Sequence, residues 1–272
     1  MKIAYARREE MEEISSVHGG AKSILFKSLF GSDDFGTPWR FIHSAILLPG
    51  GGIGHHRHDT AEEVFVTVDN AAQFTHNGRT AEIVGGAAVP LRQGESHAIY
   101  NHTDKETRWF NFNVAAIGMP ADSTDFGDDR ANAPLESIDR LPVARLDRDL
   151  LGYSQSHEGK GEVGARTLWE HQDFRNNWGF VSHALLPPGT SVGYHRHDRI
   201  EEAYIVLNGS GRMTVDDETE EVYEGAAIPN RLGGSHGIYN HTQDDLEMLV
   251  VAVCLERGKT DATNFGDDLT TR

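Results

Sequence analysis

The sequence predicts an all-β protein made of two tandem copies of one antiparallel unit. Three observations carry that expectation: landmark residues recur at a fixed offset, apolar runs are short and stopped by turn residues, and 29 of the 272 residues are glycine. The repeat comes first, because it divides the chain before any element is assigned. Gly54-His55-His56-Arg57-His58-Asp59 returns as Gly193-Tyr194-His195-Arg196-His197-Asp198, so that His195 follows His56 by 139 residues (195 − 56). Gly94-Glu95-Ser96-His97 returns as Gly233-Gly234-Ser235-His236 at the same offset, as do Trp39 in Trp178, His18 in His157, and Phe126-Gly127-Asp128-Asp129 in Phe265-Gly266-Asp267-Asp268. One copy is assigned to residues 1–139 and the other to 140–272, each of single-domain length. The join is polar and punctuated by Gly118, Pro120, Pro134 and Pro142.

Within each copy the elements read as strands. Phe41–Leu47 is one, ended by Pro49-Gly50-Gly51-Gly52, and Val64–Val68 is another, rich in β-branched residues. Their counterparts are Phe180–Leu186 and Ala203–Leu207. Asn77-Gly78 and Asn208-Gly209 are turn signals between closely spaced strands. Helices are expected to be minor, with one start near Arg8 to Ile14. Many short strands in each copy suggest an antiparallel sandwich or a closed barrel.

Composition excludes several classes of partner. Lys and Arg number 25 against 42 Asp and Glu, a formal net charge of -17, which repels phosphate backbones and anionic lipid. No nucleic acid or membrane partner is expected, and no apolar run approaches a membrane span. The single cysteine, Cys254, lies in an apolar run and reads as a buried small residue. The N-terminal residues lack a signal-peptide core, and the protein is expected in the cytoplasm.

The chemistry-bearing residues are histidines. His56 and His58 are two apart, and in an extended strand such residues face one side. Glu63 begins the next alternating run, where Glu63, Phe65 and Thr67 share a face, and His97 lies further on after Gly94. The second copy supplies His195, His197, Glu202 and His236. One His-x-His pair is a weak signal. Two copies of the pair, each with a glutamate and a third histidine at matched positions, are a strong one for a metal site. Glu62 and Glu201 sit next door, face the other way and are the fallback ligands, so Glu201→Gln is expected to be mild and Glu202→Gln severe.

These residues resemble the cupin superfamily, whose first motif is G-x5-H-x-H-x3,4-E-x6-G. Gly189, His195, His197, Glu202 and Gly209 fit it throughout; Gly50, His56, His58 and Glu63 fit, with Asn70 in place of the last glycine. Asn tolerates positive φ better than most residues. The second motif, G-x5-P-x-G-x2-H-x3-N, is matched at its end by Gly94, His97 and Asn101 and by Gly233, His236 and Asn240, while Pro90 and Pro229 lie slightly too far from the glycine. The resemblance implies a bicupin: two tandem antiparallel jelly-roll barrels, each with a metal inside.

Three imidazoles and a carboxylate suit a divalent transition metal, one per barrel, with Fe, Mn, Ni, Zn, Co and Cu all acceptable. Such a site takes a small polar or anionic substrate. A non-haem iron dioxygenase is the favoured reading, with a non-redox sugar-acid isomerase, decarboxylase or lyase next and a non-catalytic metal- or ligand-binding bicupin third. Chemistry is placed in the second barrel, whose motif is intact. His18 and His157 are candidates to donate to a substrate or to cap a turn, and His43 is a candidate to face the first cavity. Asn101 and Asn240 share the ligand face and are candidates to orient a ligand histidine. Trp39 and Trp178 read as core. A homo-oligomer, such as a dimer, would cover exposed sheet edges.

Overall fold

The computed structural model describes residues 1–116, 118–119 and 122–272; Pro120, counted above in the join, lies outside them. The described chain forms four antiparallel sheets, two of seven strands and two of five. In the first half the larger sheet runs, in spatial order, Ala144–Arg145, Ala87–Leu91, Ala61–Thr67, Thr107–Ala115, Trp39–Leu47, Ser23–Gly31 and Glu12–Ser15. The smaller runs Thr124–Asp125, Gly52–Arg57, Ser96–Tyr100, Ala71–His76 and Arg79–Val84. The second half repeats both sheets. Each half is thus a jelly-roll barrel, as the resemblance implies.

Strand parity divides most of the described apolar side chains between three large cores. Along Ala61–Thr67, Phe65 packs inside the first barrel with Ile24, Phe74, Ile99 and Trp109, while Val64 and Val66 point the other way. Tyr204 and Val206 pack inside the second barrel, while Ala203 and Ile205 point outward. The outward set of both halves forms one continuous core, in which Trp39 and Trp178 lie 6.3 Å apart between ring centroids. Burial of this apolar face is the driving force that joins the barrels.

Two strands cross between the halves. Ala4–Tyr5 adds to the second half's larger sheet through Ala226 and Ala227, and Ala144–Arg145 adds to the first half's through Ala87 and Ala88. Each covers a sheet edge that would otherwise present unpaired backbone groups. The helix start expected at Arg8 is corrected: Arg8–Glu10 is one 3-10 turn, and Glu12–Ser15 is a strand paired with Ser23–Phe26. A lone turn closes too few hydrogen bonds to propagate, whereas the neighbouring strand offers a full ladder.

Asn70 takes the glycine position of the first motif with φ 47°, and its side chain donates to Thr103 and Thr107 at 2.7 and 2.9 Å. At the matching Gly209, φ is +82° and an added Cβ would lie 2.3 Å from the Asp245 carbonyl oxygen. The turn therefore survives in the first half because asparagine both tolerates the left-handed region and anchors the loop.

Candidate metal centres

In each half the four predicted side chains converge inside the barrel. One potential ligand atom from each of His56, His58, Glu63 and His97 lies within 4.8 Å of the others, and the same holds for His195, His197, Glu202 and His236; all eight residues are buried. The backbone explains the convergence. His97 pairs with His56 across adjacent strands of the smaller sheet, and His236 with His195. Glu63 and Glu202 reach in from the facing larger sheet.

The donor atoms are oriented for a cation. His56 Nδ1 and His195 Nδ1 donate to the carbonyls of Gly54 and Gly193 at 2.8 Å, and His58 and His197 use Nδ1 on the carbonyls of Asp122 and Asp261. Each of these bonds directs the ring's Nε2 inward. His56 Nε2 and His97 Nε2 face one another at 2.9 Å, Glu63 Oε2 is 3.3 Å from His97 Nε2, and Glu202 Oε2 is 3.0 Å from His236 Nε2. Two donors about 2.1 Å from a shared centre at right angles would be roughly 3.0 Å apart, so these separations match neighbouring ligands of one ion. The Nε2 atoms of His58, His195 and His197 and Glu63 Oε2 are buried without a hydrogen-bond partner. Orphaned buried atoms aimed at one point are what a metal site leaves without its ion. The residues present therefore fit a divalent metal in each barrel.

Burial favours the neutral form of His56, His97, His195 and His236. It holds His56 and His195 down to about 2, helped by His97 and His236 respectively, and His97 down to about 4 against the pull of Glu63. For Glu202 burial acts upward, but the His236 hydrogen bond and nearby imidazoles outweigh it and bring the carboxyl to about 2. Neutral imidazoles and an ionised carboxylate are the forms that ligate. The linkage sign follows. In the unfolded chain these histidines take protons below about 6.5, while the folded barrel refuses them until far lower. The metal-free protein should lose stability steadily as pH falls from 7 to 5. Urea midpoints at pH 7, 6 and 5 test this, and a flat or rising series would contradict it.

Glu62 and Glu201 are corrected as fallback ligands. Parity turns them out of the barrels, where each binds the opposite half. Glu62 accepts from the backbone of Arg175 and Asn176, at 2.9 and 2.7 Å, and Glu201 from that of Gly36 and Thr37, at 2.9 and 2.8 Å. Asn101 and Asn240 are corrected as well. Their amides donate to the carbonyls of Leu47 and Leu186 at 2.8 Å and their Oδ1 atoms accept from Thr103 and Thr242, so they pin loops and hydrogen-bond no ligand histidine.

His18 and His157 lie flat on the first histidine of each cluster, 3.8 Å from His56 and 3.6 Å from His195 between centroids. Both adopt φ 50°. Glycine makes that approach possible: a Cβ on Gly54 or Gly193 would sit 2.1 Å from the carbonyl oxygen of His18 or His157. The copies then diverge, because His18 Nδ1 meets Asp125 Oδ1 at 2.7 Å whereas His157 Nδ1 meets Asn264 Oδ1 at 2.9 Å.

A cavity of about 500 Å³ opens onto the first cluster. His43 lines it, as expected, stacked on Phe41 at 3.7 Å and held by burial down to about 4. Sequence reasoning missed Arg40, Asn111 and Asn113, which also line it. In the larger sheet His43, Asn111 and Phe65 form one rung, and Phe41, Asn113 and Glu63 the next. The second half has Ser182, Val250 and Tyr204, then Phe180, Ala252 and Glu202. Superposing the two copies at the 139-residue offset would have found them, as polar residues in strands whose counterparts are Gly179, Val250 and Ala252.

Fold and clusters together define a double-barrel protein with a divalent-metal site in each barrel. The chain belongs to the cupin superfamily, as a tandem two-barrel member. The Cupin domain family matches residues 182–252. An oxalate-binding protein of Thermotoga maritima is 33% identical over 102 residues, covering 38% of this chain and 84% of that one. Oxalate decarboxylase of Bacillus subtilis, in a structure concerned with its Mn(II) centres, is similar with a TM-score of 0.65 at 14% identity, covering 96% of this chain and 79% of that one. AerE from Microcystis aeruginosa gives 0.58 at 12% identity, covering 86% and 93%. At such identities the solved structures bear on the fold alone. Among the described residues no helix is long and apolar enough to cross a membrane.

Proposed function

We propose that the chain is a metal-dependent enzyme of the non-redox kind, a decarboxylase, other lyase or isomerase, acting on a small organic acid in the first barrel. The carrying observation is the cavity at the first cluster, lined by Arg40, His43, Asn111 and Asn113, of which the last two are replaced by aliphatic residues and Arg40 by glycine in the second half. That asymmetry moves the expected chemistry from the second barrel, with its intact motif, to the first.

A bound dication would polarise a carbonyl or carboxylate oxygen. The chain supplies the rest. Asn113 Nδ2 donates to Glu63 Oε1 at 2.7 Å and fixes that carboxylate. His18, tied through Nδ1 to Asp125, leaves Nε2 as the nitrogen that can hold a proton beside the cavity. A proton holder of this kind serves a lyase or isomerase and has no necessary part in dioxygen chemistry. The oxalate named for two similar proteins supports an acid as substrate class. The dioxygenase reading has only the donor set behind it, which accepts manganese as well as iron.

Elemental analysis of protein purified without added metal, followed by chelation and reloading with single metals, tests the reading. Organic acids should be turned over equally under argon and in air, with activity lost on chelation and restored by one metal. Turnover that needs iron and oxygen would favour the dioxygenase. Loss of stability alone, with no turnover, would favour a binder.

A further inference from the structure

We infer that the first-barrel cavity recognises an organic acid with an apolar body, its carboxylate taken by Arg40; this rests on the reading that the first barrel holds the substrate. Arg40 sits on a β-bulge. In the ladder Asn113 pairs with Phe41 and Val114 with Trp39, which leaves Arg40 without an opposite residue. A bulge re-aims a side chain. By simple alternation Arg40 would point with Ile42 into the core between the halves; the extra residue turns it into the cavity instead.

Among the described residues the Arg40 side chain has no ion pair or hydrogen bond, and its Nη2 is buried and unpartnered. A half-buried guanidinium without an anion is unusual where acidic residues outnumber basic ones 42 to 25. Two further polar atoms in the same wall, Asn111 Oδ1 and Asn113 Oδ1, are buried and unpartnered, in residues 6% and 4% exposed. The guanidinium is a donor that a carboxylate meets, whereas the two amide oxygens are acceptors that only a donor elsewhere on a ligand, such as a hydroxyl, would meet.

Away from the metal cluster and the polar residues Ser32, Asp122 and Ser123, the wall is largely apolar, with Ile24, Phe26, Ile53, Phe65 and Trp109. A two-carbon dianion would fill little of about 500 Å³ and leave that surface wet. An acid with an aromatic or branched aliphatic body would bury it, and apolar burial is the larger source of affinity. The second half marks the contrast. Its bulge residue is Gly179, where an added Cβ would lie 3.0 Å from that of Ala252, so no side chain is accommodated there without movement.

The test uses the full chain loaded with zinc, and calorimetry with 3-phenylpropanoate, its neutral amide and oxalate. The acid should bind about tenfold or more tighter than the amide and tighter than oxalate, since a hydrogen-bonded charge pair is worth roughly that factor. Arg40→Gly copies the second half's residue on the same bulge, and Arg40→Lys keeps the charge without the fork. The glycine variant should weaken the acid by about 10–100-fold, leave the amide nearly unchanged and keep its zinc, with the lysine variant between. Equal binding of acid to Arg40→Gly and wild type overturns the inference. So does amide binding as well as acid, oxalate binding best, or no binding of the acid. If the acid binds through Arg40 but turnover follows the second cluster, the catalytic assignment falls and the recognition site stands. Turnover in the first barrel that ignores Arg40→Gly does the reverse.

Discussion

Glu201→Gln is expected to destabilise the protein by roughly 2–4 kcal/mol, the scale for unmatching a buried carboxylate from its donors. The side chain is 1% exposed, and it accepts from Gly36 N at 2.9 Å, Thr37 N at 2.8 Å and Thr37 Oγ1 at 2.6 Å. All of these donors belong to the opposite half. An amide in its place turns an NH2 group toward N–H donors and takes away one of the two oxygens that the loop of residues 36–37 uses. The thermal midpoint should fall by about 5–15 °C for a chain of this size. Metal content, measured on folded protein at low temperature, should stay at two equivalents per chain, because the neighbouring Glu202 faces the opposite way. Glu202→Gln should give the complementary result, one equivalent lost. An unchanged midpoint in Glu201→Gln, or a lost metal, would show that the two glutamates have been assigned the wrong way round. The mild effect expected from sequence is kept for metal content and revised for stability, because a residue spared by the metal is not thereby idle.

The fold and the two clusters were legible because they are written in local periodicity and then repeated. Period-two alternation placed Glu63 with Phe65 inside the first barrel, and the offset of 139 residues carried every ligand position into the second. The roles of Glu62 and Glu201 were not legible, since they depend on how one barrel meets the other. No local pattern reports that a loop at residues 175–176 ends against residue 62. Asn101 and Asn240 shared strand parity with the ligands, yet each follows the last paired residue of its strand, and beyond a strand end parity no longer fixes direction. Arg40 was hidden by the bulge, which breaks the alternation that sequence reasoning assumes. His18 was found as a repeat but not as a neighbour of His56, because a non-glycine residue at φ 50° leaves no mark in sequence.

His97→Ala and His236→Ala should each remove one metal equivalent, and only the first should abolish turnover. The two histidines are equivalent in placement: each is buried, pairs across strands with the first histidine of its cluster, and contacts the cluster glutamate. Removing either deletes a ligand and leaves a carboxylate buried beside a hole, so metal affinity should drop by at least a hundredfold in that barrel. What differs is the surrounding wall. Around the first cluster are Asn111, Asn113 and the His18–Asp125 pair; around the second the matched positions are Val250, Ala252 and His157 with Asn264. A metal without polar groups to hold and protonate a substrate can stabilise a barrel but has little to act on. Turnover in His97→Ala should therefore fall by about a hundredfold or more, while His236→Ala stays within a few-fold of wild type at a temperature where both are folded. Turnover lost in His236→Ala and kept in His97→Ala would place the chemistry in the second barrel. Comparable losses in both would mean two working sites, and the divergence of the two walls would then need another explanation, such as two different substrates.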